Sequence, residues 1–217
     1  MCVTTRRFNR SAAKGEFGCD CAALVPLAPP PSSARHCPWR ADYCRPGGSS
    51  PPRPEAPGDA RTIHHDVPGA DEDPHNAWYV KTGIKGAASG PLAGRTIAVK
   101  DRITVAGIPM MNGSGLLDGF VAPADATDVH RVLEAGGEIV GRTNCEYFCL
   151  SGGSHSGRHG PTHNPHRRGY SAGGSSSGSA VVVVTGEADM ALGADQAGSI
   201  RVPASFCGRR GLRPGRR

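Results

Sequence analysis

The feature that most limits how this chain can fold is a glycine–serine tract that runs without a break into valine. GGSSSGS (Gly173 to Ser179) is followed at once by Ala180-Val181-Val182-Val183-Val184. A glycine–serine linker would be expected to continue polar. Here the tract opens onto an apolar stretch that must be buried. This predicts a turn whose backbone N–H groups face an anion-friendly pocket, followed by a buried helix. A strand is the alternative, because valine is a modest helix former. Farther on, MALGAD reads as a short buried strand. The turn Ala197-Gly198-Ser199 follows, within GADQAGSIRVPASFCG (Gly193 to Gly208). Such a turn can aim several N–H groups at one oxygen, as an oxyanion hole requires.

A third segment, GRTIAVKD, puts Lys100 at the end of the apolar run Thr96-Ile97-Ala98-Val99, which reads as a buried strand. The ordinary reading of Lys100 is a surface lysine just past a strand end. The chemical reading is a base. A serine hydroxyl is a poor nucleophile until something takes its proton, and no histidine follows His166, so the order Ser…Asp…His of an α/β-hydrolase is impossible. Lysine can serve once burial has lowered its pKa. Between these segments, Ala126 to Ala135 spaces Val129, Val132 and Leu133 as an amphipathic helix, with Asp125 or Thr127 as cap and Gly136-Gly137 as stop. Glu138 to Gly141 reads as a strand. Strand–helix–strand order at this spacing predicts parallel pairing and an α/β layout.

Taken together, the three segments resemble the amidase signature family of serine hydrolases. The resemblance extends through NAWYVKTGIKGAASGPLAG, AGIPMMNGS, the CExxC segment at Cys145 and Cys149, and FCGxxGL, from roughly residue 74 to 214. These pieces look like the short-chain amidases that accompany nitrile hydratases. The resemblance implies a mixed sheet covered by helices on both faces. It implies a Ser-cisSer-Lys triad, with Lys100 as general base, Ser175 as bridging serine on a cis peptide bond and Ser199 as nucleophile. Backbone N–H groups of Gln196, Ala197, Gly198 and Ser199 would form the oxyanion turn. The implied reaction converts a small carboxylic amide to carboxylate and ammonia through an acyl-enzyme, with no metal or cofactor. No nucleic acid or membrane partner is expected, and a homodimer is the assembly considered.

The chain departs from the family pattern in places. Ser177 stands where GGSSGGS has glycine, Ala197 stands where the nucleophile turn has glycine, and VKDR replaces VKDN. Alanine at 197 carries a cost if that position needs left-handed backbone. Arg102 brings a cation near Lys100 and pushes it toward neutrality. The sequence ends 18 residues after Ser199, whereas family members carry a long C-terminal part that walls the pocket. The expectation is therefore the N-terminal part of such an enzyme, unstable or inactive alone. The rival reading is an inactive remnant or pseudoenzyme that uses the Gly/Ser pocket for binding.

Residues 1–60, rich in proline, arginine and cysteine, read as a disordered basic tail that accounts for much of the net charge of +6. Residues 61–217 then form the enzyme-like part. No stretch approaches about 18 apolar residues and no clean signal peptide appears, so a cytoplasmic location is expected. Of eight cysteines, Cys145 and Cys149 sit four apart and read as small core residues, since two ligands do not make a zinc site. His155, His159, His163 and His166 fall in a Gly/Pro-rich loop and read as incidental rather than as a metal site. SAAK (Ser11 to Lys14) with KTG (Lys81 to Gly83) matches penicillin-interacting enzymes only as short motifs, without an S-D-N element between them.

Overall fold

The computed structural model describes the backbone of residues 2–5 and all of residues 63–213. Residues 6–62, which hold most of the expected tail and the SAAK motif, lie outside the described residues. Nine strands form among the described residues: β1 (Cys2–Thr5), β2 (His65–Asp66), β3 (Trp78–Lys85), β4 (Thr96–Lys100), β5 (Glu138–Thr143), β6 (His163–Asn164), β7 (Arg167–Ser171), β8 (Met190–Gly193) and β9 (Arg210–Leu212). Seven of them make one sheet in the order β2-β3-β5-β4-β8-β1-β9, while β6 and β7 pair separately. The pairs β4·β5 and β4·β8 are parallel; the others in the large sheet are antiparallel. The sheet is therefore mixed, and its parallel centre contains the strand that ends at Lys100.

β1 differs from expectation. The composition of residues 1–60 predicts disorder throughout, but the backbone of Cys2–Thr5 pairs with β8 on one side and β9 on the other. Its Val-Thr-Thr run is β-branched and suits an extended ladder.

The alternation of β4 shows how the two faces are built. Ile97 and Val99 point into one apolar cluster with Tyr79, Ile139 and Leu192, whereas Ala98 points into the other with Ala77 and Ala191. Helix α1 (Thr127–Glu134) lays Val129, Val132 and Leu133 on the first face. Its N-cap is Ala126, with no side-chain cap bond; Asp125, expected to cap it, instead accepts from Ala106 N–H at 2.7 Å. Gly136, at φ 84°, follows the helix end as expected.

The second face is covered by helix α2 (Ser177–Thr185), so the valine run is helical. Val181, Val182 and Val183 are fully buried, and burying each contributes about 1.5 kcal/mol or more. That gain outweighs valine's small deficit in helix propensity. Small residues let the helix sit close to the sheet. A Cβ at Gly178 would collide with Ala77 O and lie 2.8 Å from Asn144 N. Helix α3 (Arg201–Phe206) then packs Ala204 near β9, and Gly211 has no room for a Cβ beside Ile200 and Ala204.

The close approach of α2 can be checked. Gly178→Ala meets unyielding backbone and is expected to cost about 2–3 kcal/mol. Gly94→Ala, at φ 73° with open space around it, is expected to cost about 1 kcal/mol from its backbone conformation alone. Urea denaturation of the two variants beside the parent chain measures the difference.

Candidate active site

Lys100 is the last residue of β4 and is completely buried. Parallel neighbours on both sides hold the strand end in place. The next residue, Asp101, anchors the loop that follows. Its carboxylate accepts from Met111 N–H and Gly113 N–H, each at 3.2 Å, and pairs with Arg142 Nε at 3.3 Å. Burial lifts the Asp101 carboxyl to about 6, against the pull of Arg142 and those two N–H groups. Burial is also the main influence on Lys100: it strips water from the ammonium and lowers its pKa. The Cys149 and Cys145 thiols oppose that shift, and Arg102 adds to it.

The Lys100 Nζ donates to Ser175 Oγ at 2.8 Å, across 75 residues of sequence. Ser175 is fully buried, and the Gly174–Ser175 peptide is cis. Gly174 has no room for a side chain, because a Cβ there would collide with Gly153 O and press on Glu146. Ser177, in place of the family's glycine, is accommodated as the first residue of α2, with its hydroxyl donating to Asn144 O at 3.4 Å.

Ser199 follows β8 in the turn 195–199 and is partly exposed. The two serine segments meet through backbone, with Ser176 N–H donating to Ser199 O at 3.1 Å. Among the described residues, no hydrogen bond joins the Ser175 and Ser199 hydroxyls. The turn is organised by Asp195, whose side chain is fully buried. Its carboxylate accepts from Gly198 N–H at 2.8 Å, Ile200 N–H at 3.2 Å and the Arg201 guanidinium at 3.0 and 3.1 Å. The Arg201 contact, foremost among these, holds the carboxyl well below the usual carboxylate range. Left-handed backbone falls on Gly198, at φ 124°, and not on Ala197, so the alanine carries no such cost. The N–H groups of Gln196, Ala197 and Ser199 have no acceptor among the described residues, whereas Gly198 N–H is taken by Asp195. Gln196 Oε1 accepts from Arg102 Nη1 at 3.1 Å, which links the arginine to the turn.

Other candidates from the sequence are scattered. His159 is exposed and stacks on Tyr79 at 4.9 Å between ring centroids, His163 lies in β6, and His166 Nε2 meets Cys207 O at 3.0 Å. KTG lies within β3. Sequence reading misses Asp195, although an aspartate before a turn commonly binds the N–H groups that follow. It also misses Glu146, buried and accepting from Ser156 N–H at 3.0 Å. Cys149 reads from sequence as a core residue, yet it stands beside Lys100.

With the fold and the geometry described, comparison with known proteins names the family. Residues 71–217 match the amidase family, and the chain belongs to it. It is 48% identical over 150 residues to an enantioselective amidase of Rhodococcus rhodochrous, covering 68% of this chain and 29% of the relative. One subunit of the glutamyl-tRNA(Gln) amidotransferase of Thermotoga maritima has been solved. It superposes with a TM-score of 0.58 at 34% identity, covering 62% of this chain and 30% of that one. The peptide amidase of Stenotrophomonas maltophilia gives 0.52 at 39% identity, with 54% and 25% covered. The chain thus spans less than a third of the length of these relatives, consistent with its matching one part of their fold.

Arg102 is the position to vary. Removing its charge by Arg102→Asn is expected to raise the Lys100 pKa, so deprotonation moves to higher pH. The Lys100 side chain, followed by NMR from pH 6 to 12, is expected to titrate at higher pH than in the parent chain.

Proposed function

We propose that the chain carries the nucleophile, bridging hydroxyl and base of an amidase that hydrolyses a small carboxylic amide to carboxylate and ammonia. Neutral Lys100 accepts the Ser175 proton while Ser175 accepts that of Ser199, and Ser199 Oγ attacks the amide carbonyl. The oxyanion is met by the N–H groups of Gln196, Ala197 and Ser199; Gly198, the fourth donor expected, joins only if Asp195 releases it. Collapse of the tetrahedral intermediate returns the proton through Ser175 to the leaving nitrogen. Water then cleaves the acyl-serine by the same relay. Such hydrogen bonds often tighten only when substrate is bound, which fits the two serine hydroxyls being unlinked here. The observation that carries the reading is the 2.8 Å bond between a fully buried lysine and Ser175.

No cofactor enters this chemistry. Linear amides, a cytoplasmic location, a homodimer and independence from nucleic acid and membrane are parts of the same proposal. Among the described residues no helix is long and apolar enough to cross a membrane. The second reading, a remnant that binds carboxylates without turning over amides, draws on the engagement of Gly198 N–H by Asp195.

A fluorophosphonate probe separates the two readings, since only an activated serine is expected to react. Labelling at Ser199 is expected in the parent chain and lost in Ser199→Ala. Lys100→Ala is expected to slow it by about 10²–10⁴-fold, the usual worth of general-base assistance. Folded parent chain that resists the probe would favour the remnant.

A further inference from the structure

Glu146 lies just beyond β5, is 1% exposed and has no part in the relay. Both of its carboxylate oxygens are given to one residue: Oε1 accepts from Ser156 N–H at 3.0 Å, and Oε2 accepts from Ser156 Oγ. Ser156 Oγ in turn accepts from Tyr147 N–H at 3.3 Å. Burial works to lift the Glu146 carboxyl, but the Ser156 hydroxyl and N–H lead the opposing influences, and it stays below the usual carboxylate range. Hydrogen bonds to a charged acceptor are stronger than neutral ones, so Glu146 and Ser156 close the intervening chain into a firm loop.

That loop rests on the bridging serine. Gly152 O accepts from Gly174 N–H at 2.8 Å. A Cβ on Gly174 would collide with Gly153 O and lie 3.0 Å from Glu146 Cγ. Ser154 is buried and ties the middle of the loop to the same segment, donating to Thr162 O at 2.7 Å and accepting from Ala172 N–H at 3.0 Å. Glu146 N–H itself donates to Ser175 O at 3.3 Å. Gly174 and Ser175 are therefore held by the loop 151–156 and by the main chain of Glu146. A serine Oγ is one bond from Cβ, so a backbone shift here carries straight to the 2.8 Å contact with Lys100 Nζ. Lys100 cannot follow, because β4 is paired on both sides.

We propose that Glu146 is a positioning residue for Ser175: its carboxylate seats the loop 151–156 on Gly174 and thereby holds the Ser175 hydroxyl within hydrogen-bonding reach of Lys100. Helix α2 fixes the same segment from its C-terminal side, and the Glu146 clamp fixes it from the other. The relay role of Ser175 rests on the amidase reading; the seating of its backbone does not, and two measurements read them separately.

The first is amide hydrogen exchange of the full native chain, followed residue by residue by NMR. Glu146→Met keeps the length of the side chain but offers no acceptor. Ser156→Ala, at an exposed position, removes only the hydroxyl contact. Exchange at Gly174 N–H and Ser156 N–H is expected to quicken about tenfold or more in Glu146→Met, and less in Ser156→Ala, with the amides of β4 and β5 unchanged. Glu146→Gln, which keeps an oxygen for Ser156 N–H, is expected to restore most of the protection. The second is fluorophosphonate labelling at Ser199 over a range of probe concentrations. Glu146→Met is expected to lower the limiting rate by about 10²-fold, the cost of an ångström-scale misplacement, without changing the half-saturating concentration; Glu146→Gln is expected to recover it. Parent-like exchange at Gly174 in Glu146→Met overturns the proposal. So does equal quickening throughout the sheet in Ser156→Ala, since the contact would then serve the fold alone. A parent-like limiting rate in Glu146→Met overturns it as well and leaves the amidase reading intact. A parent chain that takes no label counts against the amidase reading alone, and exchange at Gly174 still decides how Ser175 is seated.

Discussion

The structure turns on the burial of one amine at the end of a strand. Water stabilises an ammonium strongly, and placing Lys100 where no water reaches removes that support. The chain offers it instead a serine hydroxyl at 2.8 Å and two thiols, with a guanidinium nearby. Desolvation outweighs the thiols, so the balance falls toward the neutral form. Stability follows the same balance. A lysine whose folded pKa is lowered disfavours folding below that value, and the penalty fades as pH rises toward its unfolded value of about 10.4.

Holding that lysine requires rigid surroundings, which the sheet provides. β4 lies between two parallel strands and has clusters packed on both faces. The paired Asp101 and Arg142, both nearly inaccessible, fix the chain where it leaves β4. Helix α2 approaches closely because Gly178, Ala98 and Ala191 are small, which carries the segment containing Ser175 down to Lys100. Asp195 does the corresponding task for the turn at Ser199, although it occupies one of the N–H groups that the turn presents.

What is legible in the sequence is local and periodic. The continuous apolar run in TIAVK and the 3.6-residue spacing of Val129, Val132 and Leu133 are enough for β4 and α1, and the step between them is enough for parallel pairing. The valine run stays ambiguous because a segment buried all round has no periodicity to read; tertiary burial decides it. The cap of α1 escapes sequence reading because Asp125 has a competing backbone donor at Ala106, 19 residues away. For the site, sequence motifs select Lys100 and Ser175, and geometry brings them together. The left-handed turn at Phe148–Cys149 has no sequence signal, since neither residue is glycine and only packing enforces it.

One consequence lies in the direction of the three parallel strands. β4, β5 and β8 run the same way, so Lys100, the Cys145 segment and the turn at Asp195 all emerge from the same rim of the sheet. In open α/β sheets that rim is where ligands collect. The rim loops and the scaffold therefore occupy different stretches of chain. Substitutions in the loops leaving the rim can reshape what is recognised there, while the alternating interior residues that keep the sheet intact remain as they are.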